Sequence, residues 1–315
     1  MKNKQTKYLI GLLIIITAVL IADLLLNNQQ SGNLKQTLVQ VDSAKIAEIT
    51  FYPKTKKNKI TLKKENDSWF VISAKGKYEA DQDKVASIIH TLLDLHPDQA
   101  VGNTRKDWLE YGTVDTNSIN VIVKNNRGRT VAHLYIGKIE SSMQPQGYPY
   151  GNVQRQYSTY VRVKGDRHVY LVPKLLAIDF ISDADAYRNH TLTAFDPDQV
   201  QQIRMKLKDS EFVLSRKDGH WYLDTLLADS ARVEEYLQDI SHIDGWQFAD
   251  KEQASKLKSL DQLTVDLQDN QQIVVKAMGD TAVKVLWSSQ NPDAYFQAQG
   301  LDKKFFPGRE IFNGK

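Results

Sequence analysis

Three groups of residues in this 315-residue chain have types and spacings that could do chemistry. Asp183 and Asp185 flank Ala184, with Asp179 close by. Paired carboxylates can hold a divalent cation or divide acid and base roles, which would make a cation-dependent hydrolase. The plainer reading is an acidic, solvated turn leading to Arg188. The second group is Lys54, Lys56, Lys57, Lys59, Lys63 and Lys64, six lysines within eleven residues. Near a charged surface each lysine attracts anionic headgroups by about 1 kcal/mol. A lysine-rich turn that guards an edge hairpin against strand pairing explains the cluster equally well. The third is the segment 141–158, which contains Gln144-Pro-Gln-Gly-Tyr148-Pro-Tyr150-Gly151. Pro and Gly make it a long loop, and Tyr148 and Tyr150 could stack on a sugar or on a partner surface.

Other chemistries find no support. Seven histidines occur (His90, His96, His133, His168, His190, His220 and His242), none paired at metal-site spacing, and no cysteine is present to assist them. There is no Gly-x-Ser-x-Gly elbow and no Gly-x-x-x-x-Gly-Lys loop, so neither catalytic nor metal residues nor a cofactor are assigned. Lys and Arg number 41 against 38 Asp and Glu, a net charge of +3 that offers little to nucleic acid. The balance hides an asymmetry. Residues 40–190 carry 22 basic and 17 acidic side chains (22 − 17 = +5), and residues 191–315 carry 15 and 20 (15 − 20 = −5). Such a dipole orients contacts within the screening length, about 8–10 Å at physiological salt.

These groups hang on a legible succession of elements. Residues 8–26 form a nineteen-residue apolar run, interrupted only by Asp23, directly behind Lys2, Lys4 and Lys7. At about 1.5 Å per residue it predicts a bilayer-spanning helix, with a cytoplasmic stub before it and the rest of the chain outside. A cleaved signal peptide is the competitor, but a cut after Ala22 would put Leu20 where a small residue is needed. Residues 27–38 read as a polar tether. Alternating apolar runs then predict strands at 46–52, 59–63, 69–73, 119–123, 131–136, 157–163 and 169–172. Between the third and fourth, Val85, Ile88, Ile89, Leu92 and Leu95 have helical spacing behind Asp81 as N-cap.

The pattern occurs twice. Strand-like runs at 200–207, 212–215 and 221–223, the last two joined by an Asp218-Gly219 turn, answer the first three. Asp229, Val233, Tyr236, Leu237, Ile240 and Ile243 match Asp81, Val85, Ile88, Ile89, Leu92 and Leu95 at a constant offset of 148 residues. Runs at 263–267 and 283–286 parallel the later strands, and Tyr295 to Gly300 repeats the cadence of Tyr160 to Gly165. Trp69 and Trp221, each opening a third strand, are expected core anchors. Internal self-similarity at a fixed period marks repeated units. The expected fold class is α+β: a single N-terminal transmembrane helix, then two tandem, internally duplicated domains of mostly antiparallel sheet plus helix. The expected boundaries are stub 1–7, anchor 8–26, tether 27–38 and domains 39–190 and 191–315.

Trp69, the helix begun by Ala80-Asp81, Tyr111-Gly112, Ile136-Gly137, Tyr160-Val161-Arg162 and Val169-Tyr170-Leu171-Val172 together resemble domain-of-unknown-function family 4340. The departure is Thr113, where a Leu after the glycine is more usual. The resemblance implies a bacterial, membrane-anchored protein of the inner membrane with its bulk outside the cytoplasm. It also implies permease and ATPase subunits of an ABC-type exporter as partners, similar to those of gliding motility, and carries no catalytic residues. The resulting expectation is a non-enzymatic auxiliary or scaffold subunit. The alternatives are an envelope glycan- or lipid-binding module using Tyr148, Tyr150 and the lysines, and the hydrolase centred on Asp183 and Asp185.

Overall fold

The computed structural model describes residues 34–53, 58–145, 153–279 and 284–313, with Thr17 alone before them. Short turns set the first strand pairs. Asn66 and Asp67 both take positive φ (49° and 68°) and join β2 (Ile60–Glu65) to β3 (Ser68–Ser73). Asp218 and Gly219 (50° and 81°) do the same between β12 (Glu211–Lys217) and β13 (His220–Leu223). Positive φ at both central residues is what a two-residue hairpin needs to match the strand twist.

The chain divides into two units, Met1–Arg188 and Asn189–Lys315. In the first, β1 (Ile46–Pro53), β4 (Gly76–Glu79), β5 (Gln99–Gly102), β6 (Ile119–Asn125), β7 (Thr130–Pro145), β8 (Val153–Val163) and β9 (Val169–Val172) join β2 and β3. They form one antiparallel sheet in the order β4-β3-β2-β1-β6-β7-β8-β9-β5. Helix α1 (Gln82–Leu93) buries Val85, Ile88 and Leu92 in a core with Ile49, Phe51, Leu62, Val121, Leu134 and Val161. In the second unit β11 (Val200–Lys206), β14 (Leu226–Leu227), β16 (Ser259–Leu267), β17 (Gln272–Gly279), β18 (Lys284–Ser288) and β19 (Tyr295–Gln297) take the order β14-β13-β12-β11-β16-β17-β18-β19. There α3 (Ser230–Ser241) buries Val233, Tyr236, Leu237 and Ile240, and a separate two-stranded sheet pairs β10 (Thr191–Ala194) with β15 (His242–Asp244).

Equivalent hydrogen bonds mark the two helix starts. Asp81 accepts from Lys84 N at 2.9 Å and Asp229 from Arg232 N at 3.2 Å, capping α1 and α3. Ala80 N and Ala228 N donate to the carbonyls of Trp69 and Trp221, each at 2.9 Å. Each helix start is also closed by the end of its own unit. Asp81 N donates to Tyr187 O and Asp229 N to Phe312 O, and both aromatic rings are fully buried. One correspondence moves: strand order makes β19 the equivalent of β9, so Tyr295 answers the 169–172 segment and not Tyr160.

The expected fold class needs correction. Both units are mostly antiparallel sheet with subordinate helices, and among the described residues no helix is long and apolar enough to cross a membrane. The longest described, α1 and α3, have 12 residues each. That is about 18 Å of rise against the roughly 30 Å of a hydrocarbon layer. The expected anchor, 8–26, lies outside the described residues apart from Thr17. The transmembrane helix and the single-pass inner-membrane placement built on it are therefore withdrawn. The end of the expected tether joins the fold: Leu38 enters the first core beside Val39, Leu38 N donates to Leu95 O, and Lys35 pairs with Asp166 at 2.7 Å.

Candidate interaction surface

The strands β7 and β8 outrun their neighbours. β6 accompanies β7 only as far as Ile136, and β9 accompanies β8 only as far as Thr159. The next six pairs, Glu140↔Ser158 through Pro145↔Val153, have no third strand among the described residues. At about 3.4 Å per residue they make a ribbon roughly 20 Å long. Residues directly opposite share a face, so Ile139, Ser141 and Met143 lie with Thr159, Tyr157 and Arg155. Glu140 and Ser142 lie with Ser158 and Gln156 on the other side. One face is thus polar throughout. The other continues the core face of the sheet into solvent, leaving Ile139 45%, Met143 66% and Tyr157 41% exposed. Where this face meets the body, Leu176 N donates to Thr159 Oγ1, and Ile178, two residues on, is also exposed.

The root of the ribbon is rigid, and the family-like motif residues build it. Helix α2 (Arg105–Glu110) is closed by a capping box between Thr104 and Asp107, and the chain then crosses the second face of the sheet. Arg162, only 7% exposed, donates from Nε and Nη2 to Thr113 O at 3.1 and 2.9 Å. Its guanidinium lies 4.0 Å from the Trp108 ring and 4.1 Å from the Tyr135 ring. Those rings compensate a charge that burial would otherwise penalise. Thr113 offers its backbone carbonyl, so the atypical side chain leaves the contact intact. Gly137 is required because a Cβ there would stand 2.2 Å from Tyr111 O. Lys138 N donates to that same oxygen at 2.9 Å. Tyr111 packs on Tyr160 at 4.4 Å, and the Tyr160 hydroxyl donates to Glu140 at the first pair of the ribbon. Burial, and then that carboxylate, push the Tyr160 hydroxyl pKa well up.

Asp166, in the turn between β8 and β9, ties down the strand end. It accepts from Lys35 Nζ at 2.7 Å, His168 N at 3.0 Å and the Tyr170 hydroxyl at 2.9 Å, with the His168 ring 3.0 Å away. Burial alone would raise its carboxyl, but these hydrogen bonds outweigh it and hold the pKa far below the usual carboxylate range. A depressed native pKa stabilises the fold above the unfolded value, about 3.9, and that stabilisation is lost as pH falls below it. Acid titration of stability should therefore show a steeper loss below about pH 4 for the native chain than for Asp166→Asn.

The remaining sequence candidates fall elsewhere. Tyr148, Tyr150, Lys54, Lys56 and Lys57 lie outside the described residues. Lys59 is exposed, and Lys63 and Lys64 are engaged by Glu65 (3.1 Å) and Asp67 (3.2 Å). Their hairpin is no edge, since β2 sits between β1 and β3. Asp183 caps a turn by accepting from Asp185 N, and Asp185 pairs with Lys75 (2.8 Å) and Arg188 (3.1 Å). Burial works to raise the Asp185 pKa, but these cations lower it overall. Asp179 stands apart, its carboxyl raised by burial. Among the described residues no three His, Cys, Asp or Glu converge as metal ligands would. Trp69 and Trp221 are 8% and 1% exposed. Among the described residues Trp221 Nε1 finds no hydrogen-bond partner, beside a cavity of about 80 Å³ lined by Arg216, Glu234 and Gln238 among others.

Pro and Gly predict a loop over 141–158, but β7 runs to Pro145 and β8 starts at Val153, strand character that Ser and Gln mask. The alternation of Ile139, Ser141 and Met143 with Glu140 and Ser142 was the signal available. Among known families the chain matches the profile described as Domain of unknown function (DUF4340) over residues 69–263. The match begins in β3 and ends in β16, so it spans parts of both units. Among curated proteins and among solved structures nothing matches.

Proposed function

The chain belongs to the DUF4340 family, and from that premise we propose that it works by docking and not by catalysis, as a scaffold subunit that holds partner proteins through the β7–β8 ribbon. The observation that carries this reading is the ribbon's uncovered apolar face on a pinned root. An isolated two-stranded hairpin is marginal in water, and exposed aliphatic and aromatic side chains in a contiguous stripe mark contact surfaces. A root fixed by Arg162, Gly137 and Tyr160 presents that stripe with little ordering cost on binding. The partner class follows from the family resemblance: the permease and ATPase subunits of an ABC-type exporter.

The test compares the full chain with a variant in which residues 141–157, between the hydrogen-bonded pair Glu140↔Ser158, are replaced by an Asn-Gly turn, a connection two strands accept without strain. Both should melt within a few degrees of each other. The intact chain should retain permease and ATPase subunits from a detergent extract of native cells, and the shortened chain should lose them. Equal retention by the two, or none by either, would overturn the proposal.

A further inference from the structure

We infer that the outer edge of β8 in the ribbon pairs with the same edge of a second copy of this chain, making a two-fold, four-stranded ribbon. The inference rests on the ribbon being exposed but not on the exporter as partner. Backbone polarity defines the edge. Lys164 N donates to His133 O on β7, so Lys164 points inward. Successive residues alternate sides, and the register irregularity between β7 and β8 places its extra residue on β7, so the alternation on β8 is unbroken. Gln156 and Ser158 therefore point toward β7, whereas Arg155 and Tyr157 turn their N–H and C=O groups outward, beyond the reach of β9.

An open edge ordinarily carries lysine, proline or a very short strand to prevent pairing. The outermost strands of the two sheets conform: β4 and β5 have four residues each, β19 has three and β14 two, and β4 includes Lys77. The described β8 edge has neither lysine nor proline; its one charged residue is Arg155, and Glu140 balances that charge within the ribbon. A second copy is the occupant that this edge suits. An antiparallel pairing with its two-fold axis at Gln156 sets Arg155 of each chain opposite Tyr157 of the other. Both lie on the apolar face, where a guanidinium against a phenol ring is favourable. No like charges meet along residues 155–157. The outward groups of Arg155 and Tyr157 supply four inter-chain hydrogen bonds, and the exposed stripe becomes continuous across the pair.

The absence of cysteine from the chain makes the test clean. The axis brings Gln156 face to face with its copy, at about the 4.5 Å Cα separation of a non-hydrogen-bonded pair, which a disulfide can span. Ser158 is then four residues out of register with its copy, roughly 14 Å away and out of reach. Under mild oxidation of the full chain, Gln156→Cys should form a covalent dimer rapidly and Ser158→Cys should not. Adding Arg155→Pro to Gln156→Cys removes one outward N–H while sparing the inward ladder, and should abolish the crosslink and return the sedimenting species to a single-chain mass. Equal crosslinking at 156 and 158, a monomeric native chain at micromolar concentration, or a dimer that survives Arg155→Pro would each overturn the inference. None of these measurements involves exporter subunits, so failure here is distinct from failure of the docking proposal.

Discussion

Trp221→Ala is expected to cost the second unit about 3–5 kcal/mol, the range for removing a fully buried large aromatic. The indole is 1% exposed and sits in a core with Phe212, Leu214, Val233, Tyr236 and Phe312. Its backbone also organises the start of α3, since Trp221 O accepts from Ala228 N and Trp221 N donates to Ser230 Oγ at 3.2 Å. Those backbone bonds survive truncation, so the loss should come from packing and not from an unmade cap. Each unit has its own hydrophobic core, so calorimetry should resolve a low-temperature transition for the second unit, with the first melting as before. Trp221→Phe should cost only about 1–2 kcal/mol, because the ring it keeps does most of the packing and the N–H it loses has no partner among the described residues. A single unshifted transition for Trp221→Ala would contradict the two-core description.

The second large effect belongs to Arg162→Leu. The substitution leaves the Thr113 carbonyl without its two donors and withdraws the cation from between Trp108 and Tyr135. An unmade buried hydrogen bond costs about 1–3 kcal/mol, and each cation–π contact adds about 0.5–2 kcal/mol. A total near 3 kcal/mol is expected, expressed first as release of residues 103–118 from the sheet. Hydrogen exchange should accelerate at Thr113 N, Asn117 N and Ser118 N, which are now bonded within that segment, before it does in α1. Arg162→Lys should rescue little, since an ammonium cannot reproduce the planar fork stacked on two rings. Unchanged exchange in residues 103–118 would show that the guanidinium does not hold the segment.

The elements most legible in the sequence are those whose side chains alternate between core and solvent. Val85, Ile88 and Leu92 announce a helix because every one of them must be buried, and their counterparts 148 residues later obey the same constraint. Asp81 and Asp229 were readable as caps because each stands directly before its apolar-periodic run, where a carboxylate can accept from the first helical N–H groups. The ribbon was not readable in this way. Its residues are held by a ladder to one neighbour and by the geometry of its root, and neither constraint demands apolar side chains at every second position. β4 and β14 escaped for a similar reason, being too short to show a period. The motif residues Gly137, Tyr160 and Arg162 could be singled out but not interpreted, since their meaning lies in contacts with residues 103–118, far off in sequence. The paired aspartates misled in the opposite direction. Carboxylates two apart suggest ligation, but Asp183 is spent on a turn and Asp185 on Lys75, which lies 110 residues away. The lysine cluster failed as an edge guard because strand order, unreadable from local sequence, places its hairpin inside the sheet.

The proposed contact with other proteins runs through the apolar face of the β7–β8 ribbon. Its most direct measurement is site-specific photocrosslinking in native cells, with a benzophenone side chain at Met143 on that face and, in parallel, at Ser142 on the polar face. Docking predicts strong crosslinks to exporter permease or ATPase subunits from position 143 and weak ones from 142. Equal yields from the two positions, or no partner adduct from 143, would contradict it.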